Sequence, residues 1–431
     1  IALVAFSLDS LAWYACGEHR DFDNGGEEFV VEDCEVWNMA TSQYDSHKIW
    51  LSRADECHWY GVICSNDGVV RGVELIGNDL VGSIPPEISQ LHFLQYLALN
   101  GNCLYGTIPP EIGMMPDLRS LELHGNGLSG ELPAEFLNAS KLELLNVALQ
   151  YGFDHVCYMS NGTYVNTLFE QGGLYGSNYN PGLSGRVLEP KVDKWASLKG
   201  LQLFDNSFSG TISEDIEDLK ELVFFRAHNN VFSGYLPAGL TNLKKVREVY
   251  LHKNQIYLDI PPQIGDMENL EDLRLHENEM FDDIPDSLYS IRKLKYLWLQ
   301  DTVYCEEVQE GGYECSIDSD FGFTGTISTK IGNLDKLQQL LINNNPISGI
   351  IPTEIGLCEN LALLHIHKTN IVGSAPIELC LLREKSLNSE NDVGVFYADC
   401  RPNNKTQAPF FACDCCSDCC DHTTKVCIAD D

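Results

Sequence analysis

Basic residues are scarce. Against 63 Asp and Glu stand 28 Lys and Arg, for a net charge of −35. A nucleic-acid surface is built from a basic face, so the composition argues against nucleic acid, and by the same logic against docking on an anionic membrane. Cationic or neutral partners fit better. Long apolar runs are also missing. None approaches the roughly 20 residues of a membrane-spanning helix, and the apolar start Ile1–Phe6 is interrupted by Asp9. No membrane span is therefore expected in this chain. The motifs H-E-x-x-H and G-x-S-x-G and a phosphate-binding loop are absent. An active site needs a nucleophile, a base and a stabiliser that converge. Plentiful carboxylates do not supply that, so a non-enzymatic protein without a cofactor is expected. The chain begins with Ile rather than Met, which fits removal of an upstream signal.

Cysteine, by contrast, is abundant. Seventeen cysteines argue for an oxidising compartment. Sequons at Asn138, Asn161 and Asn404 point the same way, to a secreted glycoprotein. Seventeen is odd, so one thiol is free, intermolecular, or paired beyond Asp431.

The body of the chain is periodic. Residues Leu94–Asp117 and Leu118–Lys141 share one 24-residue pattern. Leu stands at the first, fourth and sixth places, Asn at the ninth, Leu at the eleventh, Gly at the thirteenth. An aliphatic-Pro pair follows at the fifteenth and sixteenth. Units start at Val70, Leu94, Leu118, Leu142, Leu198, Leu222, Val246, Leu270, Leu294, Leu337 and Leu361, eleven in all. Such a period predicts a leucine-rich-repeat solenoid, in which stacked neighbours bury what no single unit can. The L-x-x-L-x-L portion is a short strand, and the strands stack into a concave parallel β-sheet. The Asn column (Asn78, Asn102, Asn126, Asn206, Asn230, Asn254, Asn278 and Asn345) is placed to bond backbone groups of adjacent turns.

Caps flank the repeats: an N-terminal region over 1–69 and a Cys-rich end over 380–431, with repeats over 70–379. Ile1–Leu11 reads as a short amphipathic helix. Cys16 and Cys34 flank an acidic, Gly-containing loop and can be bridged. A buried Trp and a Cys57–Cys64 bridge would close the open apolar end of the first repeat. At the other end, Cys413 to Cys420 can form bridges or a thiolate zinc cluster. Bridging agrees better with the other cysteines, and no metal is expected.

Here a resemblance enters. The pattern W…C-x-W-x-G-V-x-C before L-x-G-x-I-P repeats resembles the N-terminal cap of plant-type extracellular leucine-rich-repeat proteins. That group includes receptor-kinase ectodomains and polygalacturonase-inhibitor-like proteins. The segment Trp50–Cys64, WLSRADECHWYGVIC, is closer still to secreted or cell-surface repeat proteins of diatoms and related algae, as is the C-terminal Cys pattern. The resemblance implies a second short strand in the L-x-G-x-I-P portion and a right-handed superhelix.

Two insertions interrupt the 24-residue count, by 32 and by 19 residues. Each leaves at the ninth place, held by Gln150 and Thr302 instead of Asn. Both loops are therefore expected on one edge of the solenoid. The first, at about 151–181, is rich in Tyr and Phe. The second, at about 303–322, holds Cys305 and Cys315, expected to bridge each other. Long loops in a compact body are commonly functional.

Departures from the template collect in repeats six to nine. Arg226, Tyr250, Arg274 and Trp298 share one concave-face column, with His228, His252 and His276 beside it and Tyr296 in the preceding column. Column neighbours stand about 5 Å apart, close enough for cation–π pairing. These eight residues form a candidate patch for a protein, peptide or glycan ligand, with the arginines as anion clamps. Alternatively, they are a self-satisfied surface ladder. The histidines can bind a metal, respond to pH, or simply follow the repeat template. Two functions compete: an extracellular recognition module using the concave face and aromatic insertion, or a structural cell-surface or matrix protein that self-associates into a filament.

Overall fold

A computed structural model describes residues 36–38, 43–45, 55–78, 80–150, 182–189, 192–302, 304–308, 312–316, 322–385, 395–399, 411–413, 415–420 and 427–429. The Ile1–Leu11 segment, Cys16, Cys34, Asn161, Asn404 and the 151–181 insertion lie outside them. The chain divides into two compact units, residues 1–187 with 191–208, and residues 188–190 with 209–431.

The first unit opens with β1 (Val62–Cys64), antiparallel to β2 (Val70–Glu74). From β2 onward the pairing is parallel, through β3 (Tyr96–Ala98), β4 (Ser120–Glu122), β5 (Leu144–Asn146) and β6 (Gly200–Gln202). The register is strict. Val73, Leu97, Leu121, Leu145 and Leu201 pair in one line, and each is 2% exposed or less. Burying a side chain of this size is worth about 2 kcal/mol, which is why the leucine period sets the fold. The 32 extra residues between β5 and β6 leave the register intact. Cys57 and Cys64 form a disulfide beside the buried Trp59, and so build the apolar end-cover. Cys103, in a second-strand segment of this unit, is also disulfide-bonded.

In the second unit β7 (Phe224–Arg226), β8 (Glu248–Tyr250), β9 (Asp272–Arg274), β10 (Tyr296–Trp298), β11 (Gln339–Leu341), β12 (Leu363–His365) and β13 (Val395–Ala398) run parallel. The line Phe225, Val249, Leu273, Leu297, Leu340, Leu364 and Phe396 is buried throughout. Then β14 (Asp418–Cys420) pairs parallel with β13, and β15 (Cys427–Ala429) antiparallel with β14. Helix α1 (Ile377–Lys385) is tied down by Cys380–Cys415, with Cys413–Cys416 next to it. Those bridges occupy three of the sulfurs that a zinc cluster would have used. The second insertion is an antiparallel pair, Tyr304–Val308 with Gly312–Ser316, which sets Cys305 opposite Cys315 along the backbone. Cys358 is a free thiol. Burial pushes it up to about 12, and its Sγ faces the Ile331 carbonyl at 3.3 Å. A thiol so enclosed cannot link two copies of the chain. Among the described residues no helix is long and apolar enough to cross a membrane.

Buried carboxamides join turn to turn. Asn278 donates to the carbonyls of Leu251 and Leu275, both at 2.9 Å, and accepts from the Ile256 amide at 3.1 Å. Gln150 does the same work at the first insertion, donating to Leu123 and accepting from Leu128. At the second, the Thr302 hydroxyl donates to the Asn345 carboxamide. One recurrent feature escapes the template reading. The residue before the ninth place takes a left-handed backbone: φ lies between 52° and 56° at Leu149, Asp205, Asn229, Lys253, Glu277, Asp301, Asn344 and Lys368. Gly77, Gly101 and Gly125 hold that place in the first three repeats, and were the available signal.

Replacing Asn278 by Ala strands two carbonyls and an amide in the core. We expect it to destabilise the protein by about 2–4 kcal/mol, read as a lower urea midpoint with an unchanged slope. A loss below about 0.5 kcal/mol would show that the carboxamide column is not a principal support.

Candidate functional site

Strands β7 to β10 bring all eight candidate residues together on the sheet face turned away from the leucine core. Parallel pairing sets Arg226 beside Tyr250, Tyr250 beside Arg274, and Arg274 beside Trp298. The side chains interleave. The Arg274 guanidinium lies 4.5 Å from the Tyr250 ring centre and 4.1 Å from that of Trp298. Arg226 lies 5.2 Å from Tyr250 and 5.5 Å from Phe224. Both arginines thus pack on rings, as column spacing requires of long flat side chains.

The arginines also hold carboxylates of this same face. Arg274 donates from Nε to Asp272 Oδ1 at 3.0 Å and from Nη2 to Asp272 Oδ2 at 2.9 Å. Asp272 is 4% exposed and accepts the Tyr250 hydroxyl as well, at 2.7 Å. Arg226 donates from Nε to Glu248 Oε2 at 3.0 Å. The expected anion clamps are therefore already occupied. Breaking the Arg274–Asp272 pair from one side would leave a charge in a largely dehydrated place, at about 3 kcal/mol or more. The ladder continues through Tyr296, whose hydroxyl donates to Gln338 at 2.8 Å, and Trp298, whose indole N–H donates to Gln339 at 3.1 Å. Glu248, Asp272, Gln338 and Gln339 belong to the site although no motif marks them. Their only sequence signal is a polar side chain next to the aromatic–arginine column.

Beside this ladder the histidines stack. The rings of His228 and His252 are 4.3 Å apart and tilted by 13°, those of His252 and His276 4.2 Å and 11°. His276 then meets Trp298 at 5.4 Å. Nearly parallel rings aim their nitrogen lone pairs along parallel lines. A shared metal ion needs them to converge at about 2 Å, so the stack is no chelating site. Among the described residues no cluster of three His, Cys, Asp or Glu is arranged for a metal. Burial, with Arg226, Arg274 and Lys253 nearby, lowers His228 to about 4, and burial with Arg274 and Lys253 lowers His276 to about 3. Burial and the two flanking imidazoles lower His252 to about 2. A second ring cluster, His365, His367 and Tyr397, lies on β12, the turn that follows it, and β13. Burial takes both of its imidazoles to about 4.

In the first unit, Asn138 is exposed at the end of a short helical turn, Ala134–Asn138. Its Oδ1 accepts from Lys194 Nζ at 3.1 Å.

The depressed imidazoles set a sign for acid stability. The unfolded chain protonates these histidines near 6.5, the folded chain only near 4 and below. Between those values the unfolded state binds more protons, so acidification favours unfolding. Stability should fall as pH drops from 6.5 to 5, by up to about 1 kcal/mol per pH unit for each imidazole, read as falling thermal midpoints. The His252→Gln variant should lose part of that slope. Midpoints flat across the window would show that the imidazoles are not held neutral by burial.

Comparison with known proteins agrees with this architecture. The leucine rich repeat family model matches residues 117–139 and 336–358. No curated protein sequence matches the chain. Among solved structures, the crystal structure of a TDR receptor is similar at a TM-score of 0.59 and 25% identity, over 76% of this chain and 48% of that one. The PEPR1–AtPEP1 complex is similar at 0.50 and 23% identity, over 79% of this chain and 47% of that one. A plant ice-binding protein is similar at 0.50 and 20% identity, over 76% of this chain and 82% of that one. The chain spans about half the length of the two receptors. Its strict parallel register, buried leucine lines and asparagine column give it the leucine-rich-repeat fold that these structures share.

Proposed function

We propose that the chain is a non-catalytic extracellular recognition module whose ligand, a peptide or protein segment, lies across β7 to β10. The observation that carries this reading is the interleaved ladder of Arg226, Tyr250, Arg274 and Trp298, fixed in place by four neighbouring strands. Such rigid aromatic and arginine side chains are the usual anchors of binding energy at interfaces. Because they are already ordered, little side-chain entropy is lost when a partner docks. The state of the patch also fits binding better than catalysis. Its carboxylates are engaged by its arginines, and its imidazoles carry no charge at neutral pH.

A polypeptide ligand is in keeping with one of the similar structures, that of PEPR1 with AtPEP1. An extracellular setting is supported by the disulfides Cys57–Cys64, Cys380–Cys415 and Cys413–Cys416. The proposal takes in the kinship with algal cell-surface proteins that the cap motif implies.

Trp298→Ala should weaken a captured ligand by about 2 kcal/mol or more, the range of a central anchor, while the same change at Phe93, an exposed ring of the first unit, should not. Surface-immobilised wild type and variants, exposed to secreted proteins and to peptide and glycan arrays, provide the measurement. Binding that ignores Trp298 would remove the patch from the proposal. Concentration-dependent assembly in light scattering, with no ligand captured, would favour the self-associating structural alternative.

A further inference from the structure

Charge on the β7 to β10 face is paired off strand by strand. Arg226 is held by Glu248 and Arg274 by Asp272. Lys253 stands 3.7 Å from Glu277. One row back, Glu271 lies 2.6 Å from Lys295 and 3.7 Å from Arg247. The three stacked imidazoles are uncharged at neutral pH. A chain of net charge −35 thus carries a face on which each of these cations has a carboxylate beside it, Lys295 and Arg247 sharing Glu271.

The central pair, Arg274 with Asp272, is not open to exchange with a ligand. Asp272 is buried, and both of its oxygens are engaged, by Arg274 and by the Tyr250 hydroxyl. A ligand cation would have to displace both. The Arg274 guanidinium is covered by Tyr250 on one side and Trp298 on the other, and one edge of it faces Asp272. A ligand anion would have to pull it from all three. What the face offers instead is ring surface on Tyr296 and Trp298, together with the Arg274 N–H groups that do not point at Asp272. Rings recognise C–H surface, and such N–H groups recognise uncharged oxygen acceptors such as amide carbonyls.

We infer that this face selects a ligand segment without net charge: an uncharged stretch of polypeptide, read through the C–H surface of its residues and through its carbonyl oxygens. The inference rests on the reading above that the ligand is a polypeptide. It reverses the expectation of arginine anion clamps, because the anion is supplied from within.

An array of short peptides in acidic, neutral and basic sets tests it, probed with the full-length protein, with Trp298→Ala and with Asp272→Asn, at low salt and at about 0.5 M NaCl. Hits that weaken at least about tenfold on Trp298→Ala should come from the neutral set. Their affinity should change by less than about threefold with salt, since no exposed ion pair is made. Asp272→Asn keeps the shape but leaves the Arg274 charge uncompensated, so acidic peptides should gain about tenfold on that variant at low salt. Cooperative thermal transitions, with a lower midpoint for Asp272→Asn, show that the variants fold, and the salt series on the unaltered protein stands without them. Trp298-dependent hits that are charged and fade steeply with salt would overturn the inference and leave the recognition reading in place. Trp298-dependent hits confined to a glycan array would overturn the polypeptide class. No Trp298-dependent hit of any kind would overturn the recognition reading, and this inference with it.

Discussion

A buried carboxamide between consecutive turns is the interaction on which the rest depends. The leucines supply the driving force of burial, but they cannot satisfy the backbone that each turn carries inward with them. Asn102, with no exposed surface, donates to the Leu75 and Leu99 carbonyls and accepts from the Asn78 and Leu80 amides. Unpaired, those groups would cost more than a leucine brings. Pairing them locks one turn onto the next at a fixed offset. Where the sequence departs from Asn, the replacement still fits the requirement, as Gln150 shows with its longer amide.

A fixed offset between turns makes side-chain columns, and columns make the patch. Two long flat cations set between rings at strand spacing have few arrangements available, and interleaving is the one that dehydrates least charge. The carboxylates of the adjacent column then complete the arginine edges. The same spacing presses three imidazoles into a stack in which a proton on one ring would sit beside its neighbours and beside Arg226 and Arg274. Burial and those neighbours keep the rings neutral. The face is consequently ordered, internally ion-paired and rich in ring surface, although the protein around it is strongly acidic.

Much of this was legible in the order of residues. The Leu and Asn places predict strand, register and the identity of the buried line. The Cys57 and Cys64 spacing around Trp59 predicts a closed end. Counting in steps of 24 from Leu222 alone puts Arg226, Tyr250, Arg274 and Trp298 in one column. Other features were not legible. Glu248 and Asp272 are two of 63 acidic residues, and only side-chain direction picks them out as partners. The left-handed residue before the Asn was masked by identities as different as Lys253 and Glu277, since backbone strain there is imposed by the ladder rather than chosen by the residue. Cys358 reads as one more cysteine of a disulfide-rich protein, yet it packs as a small apolar side chain in the core.

The sequence by itself determined which residues share a column, because periodicity is a property of order along the polypeptide and survives insertions of any length. Only the tertiary structure decided what those columns do. Whether Arg274 waits for a ligand or already grips Asp272, and whether His252 titrates near neutrality or stays neutral far below it, depends on distances of a few ångströms and on the exclusion of water. Neither is a function of sequence spacing. Both follow from how tightly one turn is held against the next.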